Sequence, residues 1–202
     1  MKLICQSAQM EDYLLETPEV DYSHPLVVET AKKLFQLEHS QLEKIECAFT
    51  YVRDQILHSL DIQDKRVTCS ASDVLQHRSG ICYAKSNLLA ALLRKEGIPT
   101  GFCYQRLILF EQSEIQYCIH ALNAVYLAEA NRWVRLDARG NKPGIDAQFS
   151  PSKEQLAFSV QENKGEVDYP HIYTAPHPAT IDVLRKHNDS LYMYRNALPE
   201  YI

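Results

Sequence analysis

The chain has 202 residues, of which 46% are hydrophobic and 23% charged, and its formal net charge is −5. This composition is typical of a globular protein, and the length allows one good hydrophobic core or at most two small ones. The acidic balance argues against a nucleic-acid-binding surface, because such surfaces need a basic patch.

The N-terminal segment does not have the pattern of an export signal. Its apolar run is three residues long, which is too short for a secretory signal, and no segment approaches the roughly 20 apolar residues of a membrane helix. Six cysteines are spread along the chain, which favours reduced thiols over a disulfide framework. We therefore expect a cytoplasmic protein that binds neither nucleic acid nor membranes.

The first part of the chain predicts helices after a short extended segment. Residues 1–22 are expected to form a strand or an extended arm. Pro25 suits the first turn of a helix, and Ser40 with Glu43 three residues later forms a capping-box pattern for the next helix. A short helix is expected within residues 70–80, after a polar loop.

The stretch SGICYAKSNLLAALLRKEGIP, residues 79–99, predicts a buried helix that begins near a cysteine. Its leucines and alanines repeat at three- and four-residue spacing, and Gly97 followed by Pro99 marks its end. Cys82 therefore falls at the helix start, where backbone N–H groups would stabilise a thiolate or the oxyanion of an acyl-transfer intermediate. Gly80 would let the chain turn tightly and let a substrate approach the backbone.

Beyond Pro99 the pattern changes to strands. Segments 101–110, 114–128 and 132–138 are rich in aromatic and β-branched residues and are separated by short polar breaks. This pattern predicts an antiparallel meander. Helices followed by strands indicate an α+β fold, in which N-terminal helices pack on an antiparallel β-sheet.

The last third of the chain carries less regular signals. The Pro- and Gly-containing residues 139–179 predict loops with a short helix near 151–158. A C-terminal helix is expected over about 180–198. No internal repeat or domain boundary interrupts the chain, so we expect a single domain over residues 1–202.

A histidine and an aspartate stand within the apolar strands. His120 lies in YCIHALNAVYL and Asp137 in RWVRLDARG, and a buried imidazole needs a polar partner. If the two strands form a hairpin with an even-numbered loop, both residues fall on one face, directly opposite or one step diagonal. Together with Cys82 they would supply a nucleophile, a base and a group that orients the base. A purely structural His–Asp pair is the alternative.

Three stretches together resemble the transglutaminase-like superfamily, a circularly permuted relative of the papain architecture. They are SGICYAKSNLLAALLRKEGIPTGFCY (79–104), HALNAVYLAEANRWVRLDARGN (120–141) and the preceding helix AFTYVRDQILHSLD (48–61). The resemblance covers roughly residues 40–142. It implies a papain-like core, which agrees with the α+β class expected from the order of helices and strands.

Carried over to this sequence, the resemblance makes Cys82 the nucleophile, His120 the base and Asp137 the group that orients the base. The sequence departs from many members just after the histidine. Leu122 and Asn123 stand where those members have an aromatic and then an acidic residue. The change at Leu122 could reshape the substrate groove.

Other site residues are less well determined by the sequence. The backbone N–H of Cys82 needs a second oxyanion donor beside it, and Gln76 and Gln105 are candidates. Three residues are candidates for lining the substrate cleft: Tyr83, Tyr104 and Leu122.

A metal site is the main chemical alternative for these side chains. Cys118 and His120 share a strand face and, with Cys82 or Cys103, would suggest zinc. The chain has no Cys-x-x-Cys pair and no structural-site spacing. We therefore expect no metal and no organic cofactor.

The sequence favours hydrolysis of an amide through a thioester intermediate. Transfer to an amine needs a second dedicated site, and nothing in the sequence indicates one. Two alternatives stay open: a non-catalytic binding module with the same fold, and a small-molecule N-acyltransferase that uses a thioester donor. The substrate could be a peptide, a protein side-chain amide or a small amide, and the oligomeric state is not predicted.

Overall fold

A computed structural model describes residues 1–108 and 117–202. Across these two ranges the chain forms six α-helices, a four-stranded sheet and two short two-stranded pairs. The expected α+β class, with N-terminal helices on an antiparallel sheet, is confirmed.

The N-terminal part is mainly helical. In chain order its elements are β1 (Ile4–Cys5), a 3-10 helix (Met10–Leu14), α1 (Pro25–Leu34), α2 (Gln41–Gln55), β2 (Leu57–His58), α3 (Ala71–His77) and β3 (Ser79–Gly80). The predicted capping box begins α2: the Ser40 hydroxyl accepts from the backbone N–H of Glu43, and the Glu43 carboxylate accepts from the backbone N–H of Ser40. β2 and β3 pair in parallel, which fixes the chain just ahead of the next helix.

The next helix, α4 (Cys82–Lys95), is buried along almost its whole length. Near its C-terminal end Arg94 is also buried, and its guanidinium donates to the carbonyl oxygens of Leu15 and Thr174, each at 2.6 Å. Those carbonyls belong to distant parts of the chain. Arg94 therefore ties α4 to both the N-terminal and the C-terminal segments.

The sheet is the predicted meander. β4 (Thr100–Leu107), β5 (Cys118–Leu127) and β6 (Arg132–Leu136) are antiparallel neighbours, and the short β7 (Val167–Asp168) pairs with β4 on its other side. The predicted break at 111–113, with the strand ends at 109–110 and 114–116, lies outside the described residues.

Two hydrophobic clusters hold these layers together. The larger one joins the helices to the sheet and includes Phe49, Leu88, Leu92 and Val125. The smaller one comprises Tyr13, Cys103, Leu122, Ala124 and Ile172. Burial of this much apolar surface is the main stabilising contribution to the fold.

The C-terminal third differs from its prediction in two places. No helix forms near 151–158, where the chain makes bends and an isolated bridge between Gln148 and Gln155. The expected single helix over about 180–198 is two helices. The elements of this region are a 3-10 helix (Glu162–Lys164), β8 (His171–Ile172, parallel to β1), α5 (Pro178–Lys186) and α6 (Ser190–Asn196).

The interruption between α5 and α6 has a local cause. His187 is extended and ends α5, and the Asp189 carboxylate then accepts from the backbone N–H groups of Leu191 and Tyr192, each at 3.0 Å. An aspartate in this position starts a new helix rather than continuing the old one. In the described parts of the chain, no helix is both long and apolar enough to cross a membrane.

Candidate active site

Cys82 is the first residue of α4, as the sequence predicts. Its N-cap is Ile81, which is extended and supplies no side-chain acceptor. The first N–H groups of a helix have no carbonyl partner within the helix, so at this end they remain available to a ligand. Cys82 as a whole residue is 6% exposed.

Gly80 is required for packing rather than for a turn. It lies in β3, and its backbone is not in the left-handed region that favours glycine. A Cβ atom here would come within 2.8 Å of Thr68 Oγ1 and 3.1 Å of Ala84 Cβ. The expected tight turn is therefore wrong, because the close approach of Thr68 and the first turn of α4 accounts for the glycine.

His120 and Asp137 meet in the diagonal arrangement that the strand pattern allows. Asn123 pairs with Leu136 across β5 and β6, so in this register His120 and Asp137 are one step apart along the diagonal. His120 Nε2 lies 2.7 Å from Asp137 Oδ2, and both side chains are buried. This hydrogen bond leaves Nδ1 as the ring nitrogen available to another partner.

Both oxygens of the Asp137 carboxylate accept hydrogen bonds. Its Oδ1 accepts from the backbone N–H of Arg139 at 3.0 Å, and its Oδ2 accepts from the backbone N–H of Ala157 at 3.2 Å as well as from His120. Burial opposes ionisation of this group, but the charge and hydrogen bonds of His120 and the two N–H groups outweigh it and lower the pKa of Asp137. A buried anion is thus held beside the imidazole.

The environment of His120 favours the protonated imidazole. Burial acts to lower its pKa, but the charge of Asp137, the charge of Cys82 and the hydrogen bond to Asp137 raise the pKa to about 10. Cys82 and His120 also line the same cavity, so the thiol and the ring are neighbours. The thiol and the imidazole thus face one cavity, and the carboxylate is hydrogen-bonded to the imidazole.

The cavity has a volume of about 410 Å³. Cys82 and His120 both line it. The Phe158 ring meets the imidazole edge-on, with centroids 5.0 Å apart. The remaining wall mixes apolar and polar groups and comes from the end of β4 and from the C-terminal third, including Leu107, Ile108, Phe158, Glu166, Tyr194 and Leu198.

Behind Asp137 lies an ion pair that the sequence did not reveal. Arg139 is buried, and its Nη2 donates to Asp61 Oδ1 at 3.0 Å. Although burial opposes it, hydrogen bonding to Arg139 and Lys142 lowers the pKa of Asp61 to about 2. The sequence gives only a weak signal for this ion pair, because Asp61 lies in a segment with the composition of a polar loop.

Lys85 is a second buried charged residue near Cys82. It lies one turn after Cys82, and its Nζ donates to the carbonyl oxygens of Ile56 and Arg53 at the end of α2. Burial and the nearby charge of Arg139 lower its pKa to about 7. Lys85 thus joins the first turn of α4 to the C-terminal end of α2.

The structure does not bring the candidate oxyanion glutamines to the cavity. Gln76 is exposed on α3. Gln105 is buried opposite His120 in the β4–β5 register, but its Nε2 is directed to Asp168 Oδ1 at 3.4 Å. Neither residue lines the cavity with Cys82.

The three expected cleft residues are buried elsewhere. The Tyr83 hydroxyl donates to the carbonyl oxygen of Ile119 at 2.6 Å, and the Tyr104 hydroxyl accepts from the backbone N–H of His177 at 2.7 Å. Leu122 has no exposed surface and packs in the smaller cluster. These expectations are corrected, because proximity in sequence to Cys82 or His120 did not place the side chains in the cavity.

The other cysteines are distinguished from Cys82 by their surroundings. All six thiols are free. Cys118 shares the cavity wall, but burial raises its pKa strongly, and burial raises the pKa of Cys103 to about 12 and that of Cys69 to about 11. Among the described residues, no group of three histidine, cysteine or carboxylate side chains is arranged to hold a metal ion.

Comparison with known proteins identifies a family. The model of the transglutaminase-like superfamily matches residues 28–138, which is more than half of the 202 residues. The matched range contains Cys82, His120 and Asp137. A comparison with curated proteins found no match.

Two solved structures are similar to this chain. One is a candidate cysteine protease from Cytophaga hutchinsonii, 17% identical with a TM-score of 0.52, and the match covers 66% of this chain and 43% of that one. The other is a TGase, 17% identical with a TM-score of 0.45, and the match covers 91% of this chain and 52% of that one. The matches thus span about half the length of these proteins, and at this identity the first supports the fold alone.

Proposed function

The chain belongs to the transglutaminase-like superfamily, and on that premise we propose that it is a thiol-dependent amide hydrolase. Cys82 is the nucleophile, His120 the general base and acid, and Asp137 the residue that orients His120. The observation that carries the proposal is the cavity that His120 lines together with Cys82 at the head of α4, with Asp137 hydrogen-bonded to His120.

The first step of the proposed reaction is acylation of the thiol. His120 takes the proton of Cys82, and Sγ attacks the amide carbonyl carbon of the substrate to form a C–S bond. The oxygen gains negative charge, which the backbone N–H groups at the start of α4 would stabilise. The C–N bond then breaks, and the leaving amine takes the proton from His120.

The second step is hydrolysis of the thioester. His120, again neutral, takes a proton from a water molecule, whose oxygen attacks the thioester carbon. The C–S bond breaks, a carboxylic acid leaves, and the proton on His120 returns to the Cys82 sulfur. Asp137 keeps the imidazole in one orientation throughout, because its oxygens are held by the N–H groups of Arg139 and Ala157.

We further propose that residues 1–202 form a single domain around this site. Arg94 on α4 binds carbonyl oxygens near both ends of the chain. Val20 and Met193, from opposite ends, lie in the same hydrophobic cluster as α4. Removal of either end would therefore expose core surface.

A reducing compartment such as the cytoplasm suits this chemistry. All six cysteines are free, and free thiols persist where disulfides are kept reduced. The nucleophile must also stay reduced to act. We therefore propose a cytoplasmic location.

The proposal is tested with a mixture of peptides and small amides in water enriched in oxygen-18. Wild-type protein should generate carboxylic acids that carry the heavy oxygen, Cys82→Ala should generate none, and Cys118→Ala, which alters the other thiol of the cavity, should retain the activity. Products in which an added amine replaces water would identify transfer instead. Absence of any Cys82-dependent product, with no acyl group on Cys82 by intact mass, would favour the binding module.

A further inference from the structure

A buried carboxylate lines the same cavity as the nucleophile. Glu166 is only 7% exposed, and it belongs to the cavity wall with Cys82 and His120. Its Oε1 accepts from the backbone N–H of Ile108 at 2.9 Å, and its Oε2 accepts from the backbone N–H of Gln161 at 2.7 Å. Both donors also line the cavity, so the carboxylate group is held at the wall between them.

This carboxylate has no cationic partner within the chain. Over residues 1–108 and 117–202, Glu166 forms no ion pair with a lysine, arginine or histidine. The remaining residues, 109–116, have the sequence LFEQSEIQ and contain no basic residue. A cationic partner of Glu166 would therefore come from outside the chain.

Arg106 is the basic residue closest to Glu166 in the β4–β7 pairing, and it is engaged elsewhere. It lies opposite Val167, but its Nη2 donates to the carbonyl oxygen of Gly165 at 2.5 Å. Its guanidinium also lies 4.5 Å from the ring centroid of Tyr117 and 5.0 Å from that of Tyr201. Arg106 is thus held by a carbonyl and two aromatic rings.

The bonding of Glu166 leaves room for a ligand. An ionised carboxylate has about four acceptor positions, and the two backbone N–H groups occupy one on each oxygen. Buried charges in proteins are normally paired as well as hydrogen-bonded. The same cavity also offers apolar side chains for the rest of a ligand, including Leu107, Phe158 and Leu198.

We propose that the substrate accepted at Cys82 carries a cationic amino group that binds Glu166, joined to the scissile amide through an apolar spacer. The inference rests on the proposed function, since it concerns the same cavity. Either a lysine-like side chain or the free amino terminus of a peptide would supply this group. Glu166 is then the residue that selects the substrate by charge.

The test uses a series of chloroacetamides that alkylate Cys82. The N-aminopropyl compound is cationic, the N-butyl compound is a neutral match in length, and the N-carboxyethyl compound is anionic. Second-order rate constants at Cys82 are read by peptide mass spectrometry at neutral pH. We expect the cationic compound to react about tenfold faster than the butyl one, in keeping with the strength of hydrogen bonds between charged groups, and the anionic one to react slowest.

Two variants locate the source of this preference. Glu166→Gln should bring the three rate constants together, whereas Glu162→Gln, which removes an exposed charge four residues away, should leave the preference intact. Equal rates for the cationic and butyl compounds in wild-type protein would overturn the proposal, as would a preference that survives in Glu166→Gln. The wild-type comparison decides even if Glu166→Gln folds poorly.

Further compounds distinguish a lysine-like side chain from a peptide amino terminus. A further variant tests the proposed hydrolase function separately from charge selection by Glu166. Aminoethyl and aminopentyl compounds extend the series, and a maximum at the short spacer indicates an amino terminus, whereas a maximum at the long one indicates a lysine-like chain. The butyl compound alone, compared between wild-type and His120→Ala, tests the nucleophile. An alkylation rate with the butyl compound that is the same in wild-type and His120→Ala protein would refute the proposed function. The charge preference is judged separately, from the ratio of the rates of the cationic and butyl compounds.

Discussion

His120 on β5 and Asp137, which directly follows β6, meet through a 2.7 Å contact between Nε2 and Oδ2 in the buried interior. The carboxylate raises the pKa of the imidazole, and the imidazole lowers the pKa of the carboxyl group, each against the effect of burial. An imidazolium held in this way is the partner that a thiolate at Cys82 requires. The account of the site depends on this pair.

The pair should stabilise the fold within a defined pH window. The pKa of His120 is raised from 6.5 to about 10, so its contribution is complete below pH 6.5 and is lost as the pH rises through about 10. The pKa of Asp137 is lowered from 3.8, so its contribution is present above pH 3.8 and is lost as the pH falls through the lower value. The full contribution therefore lies between pH 3.8 and 6.5.

Asp137→Asn tests this window. We expect it to lower the free energy of unfolding by about 3 kcal/mol at pH 5, a typical cost of breaking a buried ion pair, and by less at pH 10. Urea denaturation at both pH values measures the difference. Asp182→Asn, at an exposed pair with Lys186, is the control and should have little effect. A loss that is the same at both pH values would contradict the assignment.

Gly80 should not tolerate a methyl group. In Gly80→Ala the added Cβ would press on Thr68 Oγ1 and Ala84 Cβ, and overpacking of this kind costs about 2 kcal/mol of stability. Thermal or urea denaturation measures the loss. Adding Thr68→Ala removes one of the two close contacts, so the double variant should be more stable than the sum of the single effects predicts. If the stability losses of the two single variants simply add in the double variant, the contact with Thr68 is not the cause of the loss in Gly80→Ala.

Leu122 should matter for stability and not for the reactivity of the site. It is fully buried in the cluster with Tyr13 and Ile172, so Leu122→Ala should cost about 3 kcal/mol, as similar core truncations do. The alkylation rate of Cys82 should stay unchanged under conditions where the variant is folded. Phe158→Ala is the contrasting variant, because Phe158 lines the cavity and contacts His120, and it should change that rate. A changed alkylation rate of Cys82 in folded Leu122→Ala would indicate that Leu122 does line the substrate cleft.

Local signals made much of the site predictable. A leucine-rich periodic segment that follows a Ser-Gly pair defines the start of α4, so Cys82 could be located at the helix head before the structure was known. The alternating side-chain pattern of the two strands and the short loop between them limit the pairing of His120 and Asp137 to two arrangements, directly opposite or one step diagonal. For that reason His120 and Asp137 could be placed side by side from the sequence.

The walls of the cavity could not be predicted in the same way. Phe158, Gln161 and Glu166 lie in a loop-rich region without hydrophobic periodicity, and only tertiary packing brings them to the end of β4. Tyr83 and Tyr104 failed as cleft candidates because their hydroxyl groups are engaged by backbone atoms of Ile119 and His177 and neither side chain lines the cavity. Neighbours in sequence identified the reacting atoms but not the surface around them.

The most direct test of the central claim is site-resolved alkylation. Brief treatment with iodoacetamide from pH 5 to 9, read by mass spectrometry at all six cysteines, compares wild-type protein with His120→Ala. The account predicts that Cys82 reacts fastest at pH 6 and loses this advantage in His120→Ala, while Cys118, Cys103 and Cys69 stay slow. If Cys82 reacts no faster than Cys5 or Cys69, or keeps its advantage without His120, no thiolate–imidazolium pair is present and the enzyme proposal is contradicted.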